Sequence, residues 1–252
     1  FLTQLRVLMT YLRLMILPIG QNLDYDFPMS HALWEPVTLA SLLALVVMFA
    51  AAVMVRKKDR LVSFGILWFF ITACVESSVI VITNVIFEHR MYLPSVGLVV
   101  GFAAGLAYLI KNKNIYRPFV IGLSCVLALL TYQRNKVWQT EITLWKDALA
   151  KSPKKARPYK NLGIAYAEAG SLPVALEYLT QAVAMTPKDT DAVNNLANVY
   201  NRMGDKQKAI SLYEEVIRID PNHAAAHNNL GSVYYDLGDL QNALKYYAIA
   251  NN

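Results

Sequence analysis

Three consecutive residues with complementary chemistry, Glu88, His89 and Arg90, stand between two apolar stretches of the 252-residue chain. Charged groups at the edge of a hydrocarbon layer are costly unless they are paired or used, which makes them candidates for function. The Arg90 guanidinium could bind a phosphate through two parallel hydrogen bonds, and Glu88 could orient Arg90 or a sugar hydroxyl. We interpret Glu88, His89, Arg90 and Tyr92 as candidates for binding a lipid phosphate. Extension of these side chains to lipid headgroups is an equal alternative.

Two carboxylates two residues apart, Asp24 and Asp26, lie in a polar, turn-rich segment from 18 to 28. Such a pair could serve a metal ion or a sugar hydroxyl. Capping of a turn is the simpler role for either aspartate taken alone. We keep both as candidates of this loop and assign no metal ion to them.

Asparagine recurs at one position in the second half of the chain, as Asn161, Asn195 and Asn229. An amide offers a donor and an acceptor, so such a ladder could hydrogen-bond the backbone of an extended peptide whatever its side chains. A role in helix packing is the competing interpretation, because Asn is frequent at this position in repeats of every function. Further candidates for the same groove are Asn198, Tyr235, Asn201, Lys160 and Arg202.

The elements that must position these residues differ between the two halves of the chain. Hydrophobic residues make up 56% of the sequence, and only 17% is charged. Residues 1–132 carry 10 basic and 6 acidic residues, whereas 133–252 carry 14 and 12. This balance indicates a membrane half followed by a soluble half.

The apolar stretches of the first half predict four membrane spans at about 37–55, 61–75, 94–110 and 118–132. Residues 1–17 carry Arg6 and Arg13 on one helical face and predict a helix lying in the interface, with a short tilted span as the alternative. Residues 18–36 form an outer loop. The basic loops 56–60 and 111–117 are predicted to be cytoplasmic, so residues 18–36, 76–93 and everything after 133 lie outside, in a periplasm or an organelle lumen.

A period of 34 residues runs through the second half and is typical of tetratricopeptide repeats. It predicts three units, at 156–189, 190–223 and 224–252, preceded by a junction and half-repeat at 133–155. Such repeats stack into a solenoid with a concave groove lined mainly by the first helix of each unit. The recurring residues are Leu162, Leu196 and Leu230, Tyr166, Tyr200 and Tyr234, and Ala175, Ala209 and Ala243.

Together these patterns predict an all-α protein in which multi-pass transmembrane helices precede a tetratricopeptide-repeat α-solenoid. Most of the net charge of +6 comes from the membrane half, and no basic stripe interleaved with aromatics follows, so nucleic acid is not an expected partner. Cys74 and Cys125 fall inside apolar runs, which argues against a disulfide framework and a cysteine-based metal site. The chain begins at Phe1 without a signal peptide, and we expect it to be the C-terminal part of a longer protein.

The segment 88–97, Glu-His-Arg-Met-Tyr-Leu-Pro-Ser-Val-Gly, resembles the ER-x-x-Y-x-P-S-x-G segment of the transmembrane and tetratricopeptide-repeat-containing O-mannosyltransferases, with His89 inserted. The junction around Arg134 to Trp138 and the stretch from Tyr11 to Tyr25 are also similar to that family. The resemblance implies a GT-C-type glycosyltransferase that moves a sugar from a polyprenyl-phosphate donor to Ser or Thr of an acceptor polypeptide. It implies no covalently bound cofactor, leaves a divalent metal open, and places the catalytic acid upstream of Phe1.

A second hypothesis comes from a different functional class. The chain could be a non-catalytic scaffold, anchored by its spans, whose repeats assemble extracytoplasmic protein complexes. An acidic pair in the first outer loop of the sequence preceding Phe1 would favour the enzyme, and its absence would favour the scaffold.

The orientation of the spans is the first testable prediction. A reporter enzyme that is active only outside the cytoplasm is expected to be active when fused after Asn252 and silent when fused after Lys58, because the basic loops are retained inside. Reporter activity in intact cells, normalised to the amount of fusion protein, measures this. Activity at Lys58 with silence at Asn252 would contradict the orientation.

Overall fold

The computed structural model describes residues 2–76, 86 and 92–251, and all of its regular elements in this part of the chain are α-helices. The all-α prediction is therefore confirmed. The chain divides into two compact units, Phe1–Lys136 and Val137–Asn252, which we call the first unit and the repeat unit. Glu88, His89 and Arg90 lie outside the described residues.

The first unit contains five helices, α1 (Leu2–Ile16), α2 (Pro36–Val55), α3 (Arg60–Glu76), α4 (Tyr92–Leu109) and α5 (Lys113–Val137). Three of them, α2, α4 and α5, are long and apolar enough to cross a membrane among the residues that the structure describes. The apolar helix α3 has 17 residues, which is at the lower end of the lengths that can cross a bilayer. Three of the four predicted spans thus have the length and composition of a span among the described residues, and the span at about 61–75 stays a prediction.

Helix α5 is longer at both ends than the predicted span 118–132. It begins at Lys113, so most of the predicted basic loop 111–117 is helical, and Pro118 lies inside the helix. The Asn112 side chain accepts a hydrogen bond from the backbone N–H of Asn114 at 3.0 Å and caps the helix start. Because the capped helix begins at Lys113, Pro118 lies near its N-terminal end. There the proline removes one backbone hydrogen bond, and the helix continues beyond it.

Glycines bring α3 and α4 into close contact. A Cβ atom on Gly65 would lie 2.3 Å from the carbonyl oxygen of Gly97 and 2.8 Å from backbone atoms of Gly101. The Trp68 ring lies over Gly97, and its indole N–H donates to the Leu93 carbonyl oxygen at 2.9 Å. Small residues permit such backbone approach between apolar helices, where dispersion replaces the hydrophobic effect as the source of association.

The repeat unit contains seven helices, α6 (Glu141–Lys151), α7 (Ala156–Glu168), α8 (Leu172–Met185), α9 (Thr190–Arg202), α10 (Lys206–Ile219), α11 (Ala224–Asp236) and α12 (Leu240–Ala250). Helices α7 to α12 form three hairpins, and each turns at a glycine with φ between 79° and 89°, which are Gly170, Gly204 and Gly238. This left-handed conformation carries no steric cost in glycine. Only three residues separate α5 from α6 along the chain.

Each second helix packs on the first helix of the next hairpin, as α8 does on α9 and α10 on α11. Helix α6 packs on α7 in the same way, in the place of a second helix that lacks its own first helix. The largest buried cluster joins Ile210, Tyr213 and Val216 of α10 to Leu230 and Val233 of α11. Because these cores and the helix caps are internal to the repeat unit, we expect that unit to fold by itself.

The glycine contact yields the second testable prediction. Replacing Gly65 by Ala is expected to destabilise the first unit by about 1–3 kcal/mol, because the new methyl group meets backbone atoms that cannot move aside like a side chain. Thermal unfolding of the detergent-solubilised protein measures the loss. Gly105→Ala, whose Cβ would make an ordinary 3.5 Å contact, and Gly122→Ala, whose Cβ meets no atom within 4 Å, are the matched controls. An equal change in all three variants would contradict this account.

Candidate functional site

The first helices of the three hairpins form one continuous surface. Helix α9 packs directly against both α7 and α11. Within the part of the repeat unit that the structure describes, α8 and α10 do not contact each other to the same extent. Successive repeats are therefore closest on the side of their first helices, and that side is the inner surface of the solenoid.

Two residues of the asparagine ladder are anchored to their own helices. The Nδ2 atom of Asn161 donates to the carbonyl oxygen of Arg157 at 3.1 Å, and the Nδ2 atom of Asn195 donates to the carbonyl oxygen of Asp191 at 2.7 Å. Both side chains are partly exposed. In both residues the amide nitrogen is thus bound to the carbonyl oxygen four residues earlier in the same helix.

Asn229 has a different environment, because it bridges two repeats. Its Nδ2 atom donates to the Oδ1 atoms of Asn194 and Asn198 on α9, at 3.2 and 3.0 Å. The Tyr213 hydroxyl of α10 donates to the same Asn198 oxygen. Burial raises the pKa of the Tyr213 phenol well above its ordinary value, so it stays protonated and donating at neutral pH. The ladder residue of the third repeat is therefore part of a polar network joining α9, α10 and α11.

The charged candidates of this surface also join one repeat to the next. The Lys160 ammonium lies 2.8 Å from the Asp189 carboxylate, and the Arg202 guanidinium donates to the Ala167 carbonyl oxygen at 2.6 Å. A third link is made by Lys206, whose ammonium lies 2.7 Å from the Asn201 amide oxygen and 2.6 Å from the Asp236 carboxylate. These contacts join neighbouring repeats, and the ion pairs compensate the charges of Lys160 and Lys206, whereas Arg202 contacts a neutral carbonyl oxygen.

Tyr235 remains on this surface as an exposed aromatic ring. Its side chain is 60% exposed. The preceding residue, Tyr234, and its equivalent in the first repeat, Tyr166, instead stack in parallel on Tyr246 and Tyr178. A large exposed ring beside amides is a feature of polypeptide-binding surfaces.

Sequence reasoning missed two members of the polar network, Asn194 and Tyr213. Asn194 is 7% exposed and lies directly before the ladder residue Asn195. The position equivalent to Asn194 in the third repeat is also an asparagine, Asn228. This recurrence was a sequence signal that could have pointed to Asn194. Tyr213 occupies the repeat position that is Leu179 in the first repeat. Only its hydroxyl group indicated that this packing residue could also be a buried hydrogen-bond donor.

The outer-loop candidates of the first unit lie beside α1. Asp24 is buried, and its backbone exchanges two hydrogen bonds with the Asn22 side chain, while Asp26 is exposed. Arg6 of α1 holds the loop from the other side. Its guanidinium donates to the Pro28 carbonyl oxygen and the Ser30 hydroxyl, both at 3.1 Å. The side chain that closes this turn is thus Asn22, and the roles of Asp24 and Asp26 stay predictions.

One residue from the region between α3 and α4 is also part of this assembly. Ile86 is 5% exposed and packs with Val7 and Tyr11 of α1, next to Tyr25 and Phe27 of the loop. Tyr92, at the start of α4, is 79% exposed. The structure thus brings Ile86 to the outer loop, while the candidates Glu88, His89 and Arg90 stay predictions from the sequence.

Comparison with known proteins identifies the repeats. Residues 142–190, 160–224 and 194–251 match the tetratricopeptide repeat model, so this region consists of such repeats. Over 98 residues in the repeat region, the chain is 33% identical to the human protein O-mannosyl-transferase TMTC4, and over 103 residues it is 31% identical to Drosophila melanogaster protein O-mannosyl-transferase Tmtc3. The matches cover 37% and 39% of this chain but only 13% and 11% of those relatives.

The repeat fold also has neighbours among solved structures. A crystal structure of MamA protein is 31% identical, covers 43% of this chain and 60% of its own, and superposes with a TM-score of 0.40. The tetratricopeptide prediction is confirmed by the family match, and repeats of this kind support a role in protein interaction.

The ladder geometry yields the third testable prediction. Asn229→Ala is expected to lower the free energy of unfolding of the repeat unit by about 1–3 kcal/mol, because the buried Asn194 amide oxygen loses this donor and the half-buried Asn198 oxygen keeps only the Tyr213 hydroxyl. Asn161→Ala and Asn195→Ala remove only a bond within one helix at partly exposed positions, so each is expected to change it by about 0.5 kcal/mol or less. Urea unfolding of fragment 137–252, followed by circular dichroism, measures all three. Equal losses would contradict the distinction.

Proposed function

We propose that this chain is the C-terminal portion of a membrane glycosyltransferase, which transfers a sugar from a polyprenyl-phosphate-linked donor to Ser or Thr of an acceptor polypeptide. The observation that carries the proposal is the identity of about a third between its repeats and those of protein O-mannosyl-transferases. The apolar helices before the repeats and the resemblance of segment 88–97 support it from the first unit. The O-mannosyl-transferases are far longer than the region that matches this chain. The enzymatic activity of the whole protein is therefore part of what we propose.

The proposed topology is that of a multi-pass membrane protein with extracytoplasmic repeats. Helices α2, α4 and α5 have the required length and composition, and the apolar helix α3 would cross as the fourth span, since both basic segments can lie on one side only if α3 and α4 each cross. The basic residues around Arg56 and Lys111 favour placing both of these chain segments in the cytoplasm.

The donor side of the reaction falls to the segment between α3 and α4. Arg90 would bind the donor phosphate and stabilise the charge that develops on it as the glycosidic bond breaks. Glu88 and His89 would orient Arg90, and the exposed Tyr92 ring would border the sugar. The packing of Ile86 against α1, next to Tyr25 and Phe27, supports a role for the outer loop with Asp24 and Asp26 on the same side of the membrane.

The acceptor side falls to the repeats. The first-helix surface carries Asn161, Asn195, Asn198, Asn229 and Tyr235, and the ammonium groups of Lys160 and Lys206 beside them are paired with carboxylates. A carboxylate outside this chain would deprotonate the acceptor hydroxyl. No covalently bound cofactor is required by this scheme, and membrane lipid and acceptor polypeptide are the partners.

A scaffold without catalytic activity is the second candidate function. One observation favours it specifically, which is that the identity to the O-mannosyl-transferases lies in the repeats, the part of the chain suited to binding other proteins. In a scaffold, Arg90 would serve only as an anchor to lipid headgroups.

The fourth testable prediction separates the two functions. In the full-length protein, Arg90→Ala is expected to lower the rate of sugar transfer by about 10²–10³-fold, because a charge-stabilising donor is lost from the transition state. Transfer of radiolabelled sugar from a polyprenyl-phosphate donor to a Ser/Thr peptide measures the rate.

Two control variants accompany Arg90→Ala. Arg90→Lys keeps the charge without the two-pronged guanidinium and is expected to retain part of the activity. Lys58→Ala removes one charge on the opposite side of the membrane and is expected to transfer sugar normally. A wild-type rate in Arg90→Ala would leave Arg90 as a headgroup anchor, and no transfer by the wild type would favour the scaffold.

A further inference from the structure

Two histidines stand four residues apart at the N-terminal end of α11, and they are the only histidines in the second half of the sequence. His223 caps the helix, because its Nδ1 atom accepts a hydrogen bond from the backbone N–H of Ala226 at 3.1 Å. The ring of His227 is 4% exposed, and its Nε2 atom lies 2.9 Å from the Pro221 carbonyl oxygen. Both rings are therefore built into the joint between the second and third repeats.

These hydrogen bonds fix which ring nitrogen carries the proton. An Nδ1 atom that accepts a hydrogen bond has no proton, so the proton of neutral His223 is on Nε2. A carbonyl oxygen can only accept, so the Nε2 atom of His227 carries its proton as well. The Nδ1 atom of His227 is buried and has no hydrogen-bond partner in the described part of the chain. The packing thus accommodates both rings as neutral imidazoles protonated on Nε2 alone.

We propose that these two histidines make the joint between the second and third repeats sensitive to acid. A second proton on either ring must go to Nδ1. At His223 that proton would face the Ala226 N–H across 3.1 Å, so two donors would oppose each other where the cap had been. At His227 it would create a buried cation whose Nδ1–H meets no acceptor among the described residues. The positive end of the α11 dipole opposes both protonations.

Two carboxylates near His223 offset little of this effect, because each has another partner. The Asp191 carboxylate of α9 lies 3.5 Å from the Nε2 atom, but its side chain is 72% exposed and also lies 4.0 Å from the Lys160 ammonium. The Nε2–H that meets Asp191 is present in neutral His223 already. Asp220, in the turn before α11, accepts the backbone N–H of Asn222 at 3.1 Å. Exposed charges are screened by water and salt, whereas the lost cap is half-buried.

The groups that face His227 supply little opposing charge. Its ring stacks on the Tyr246 ring of α12, with centroids 5.9 Å apart. Burial and, to a smaller extent, the Glu214 carboxylate of α10 raise the pKa of this phenol, so Tyr246 stays neutral below pH 8. Glu214 itself is exposed to solvent. A second proton on His227 would therefore remain a buried charge.

The second repeat shows that the fold does not require histidine at either position. The residue equivalent to His223 is Asp189, whose carboxylate caps α9 through the Ala192 N–H at 3.1 Å. The residue equivalent to His227 is Val193, which is 1% exposed. Neither aspartate nor valine ordinarily changes charge between pH 5 and 8, whereas histidine does. The third repeat therefore places titratable groups at two positions that the second repeat fills without them. This property of the stack does not depend on the proposed sugar transfer.

Thermal unfolding of fragment 137–252, which has its own cores, tests the proposal at pH 7.5 and pH 5.0. In the unfolded fragment both imidazoles bind a proton below about pH 6.5, so acid favours unfolding. The matched variant carries His223→Asn, which keeps an uncharged cap, and His227→Val, the residue of the second repeat. The wild-type midpoint is expected to fall by about 4–8 °C more than that of this variant. Equal shifts, or a smaller shift in the wild type, would overturn the proposal.

Hydrogen exchange in the whole chain locates the effect. Between pH 7.5 and pH 5.0, after correction for the intrinsic exchange rate, α11 and α12 are expected to lose protection about five- to thirtyfold relative to α7 and α8. An unchanged ratio between these helices contradicts the assignment to this joint.

A third measurement needs no substitution and decides the case even where the double variant does not fold. Long-range ¹H–¹⁵N spectra of the wild-type fragment at pH 7.5 report which nitrogen of each histidine is protonated. Both rings are expected to carry the proton on Nε2 alone, and a proton on Nδ1 of either ring overturns its part in the proposal.

Discussion

The stacking of each second helix on the first helix of the next repeat is the contact on which the repeat unit depends. No single hairpin can bury its apolar face, so Ile210, Tyr213 and Val216 become buried only because α11 covers them. Close packing of the two helices within each hairpin imposes a second constraint, which explains the small residue after the consensus leucine. A Cβ on Gly163 would lie 2.5 Å from the Leu179 side chain, and one on Gly231 would lie 2.9 Å from the Tyr247 ring.

Close stacking also brings polar groups into the interior, where each needs a partner. The amides of Asn194, Asn198 and Asn229 satisfy one another, and the Tyr213 hydroxyl completes the network. A partly satisfied buried network costs more than an apolar contact of the same size. The network therefore specifies how α9, α10 and α11 fit together, and it holds the Asn229 amide, whereas Asn161 and Asn195 are held by their own helices.

The first unit follows a different rule, because its helices are apolar nearly all round. The contact between α3 and α4 is made by glycines, and the Trp68 indole fixes it with one hydrogen bond to the Leu93 backbone. Polar contacts are concentrated instead where the outer loop meets α1. There Arg6 holds Pro28 and Ser30, and Thr38 at the start of α2 donates to the Ser30 hydroxyl at 2.9 Å. This division between apolar helices and a polar loop is what a membrane environment requires.

The 34-residue period and the apolar runs were enough to predict an all-helical chain with repeats after apolar helices, because burial of one face imposes a periodicity that a sequence displays directly. The ends of the helices were harder to predict from the sequence. The Asn112 cap and a tolerated Pro118 lengthen α5 beyond its apolar core. The sequence also placed Asn161, Asn195 and Asn229 in register as candidates for one surface.

Only the tertiary structure distinguished these three residues from one another. Two amides bind their own helices, and the third binds α9, which depends on distances between repeats that no periodicity encodes. The packing of Ile86 against α1 was likewise invisible in the sequence, since 75 residues separate Ile86 from Tyr11 and 79 separate it from Val7. Periodic burial can be predicted from the chain alone, whereas the direction of a hydrogen bond depends on which groups the fold brings together.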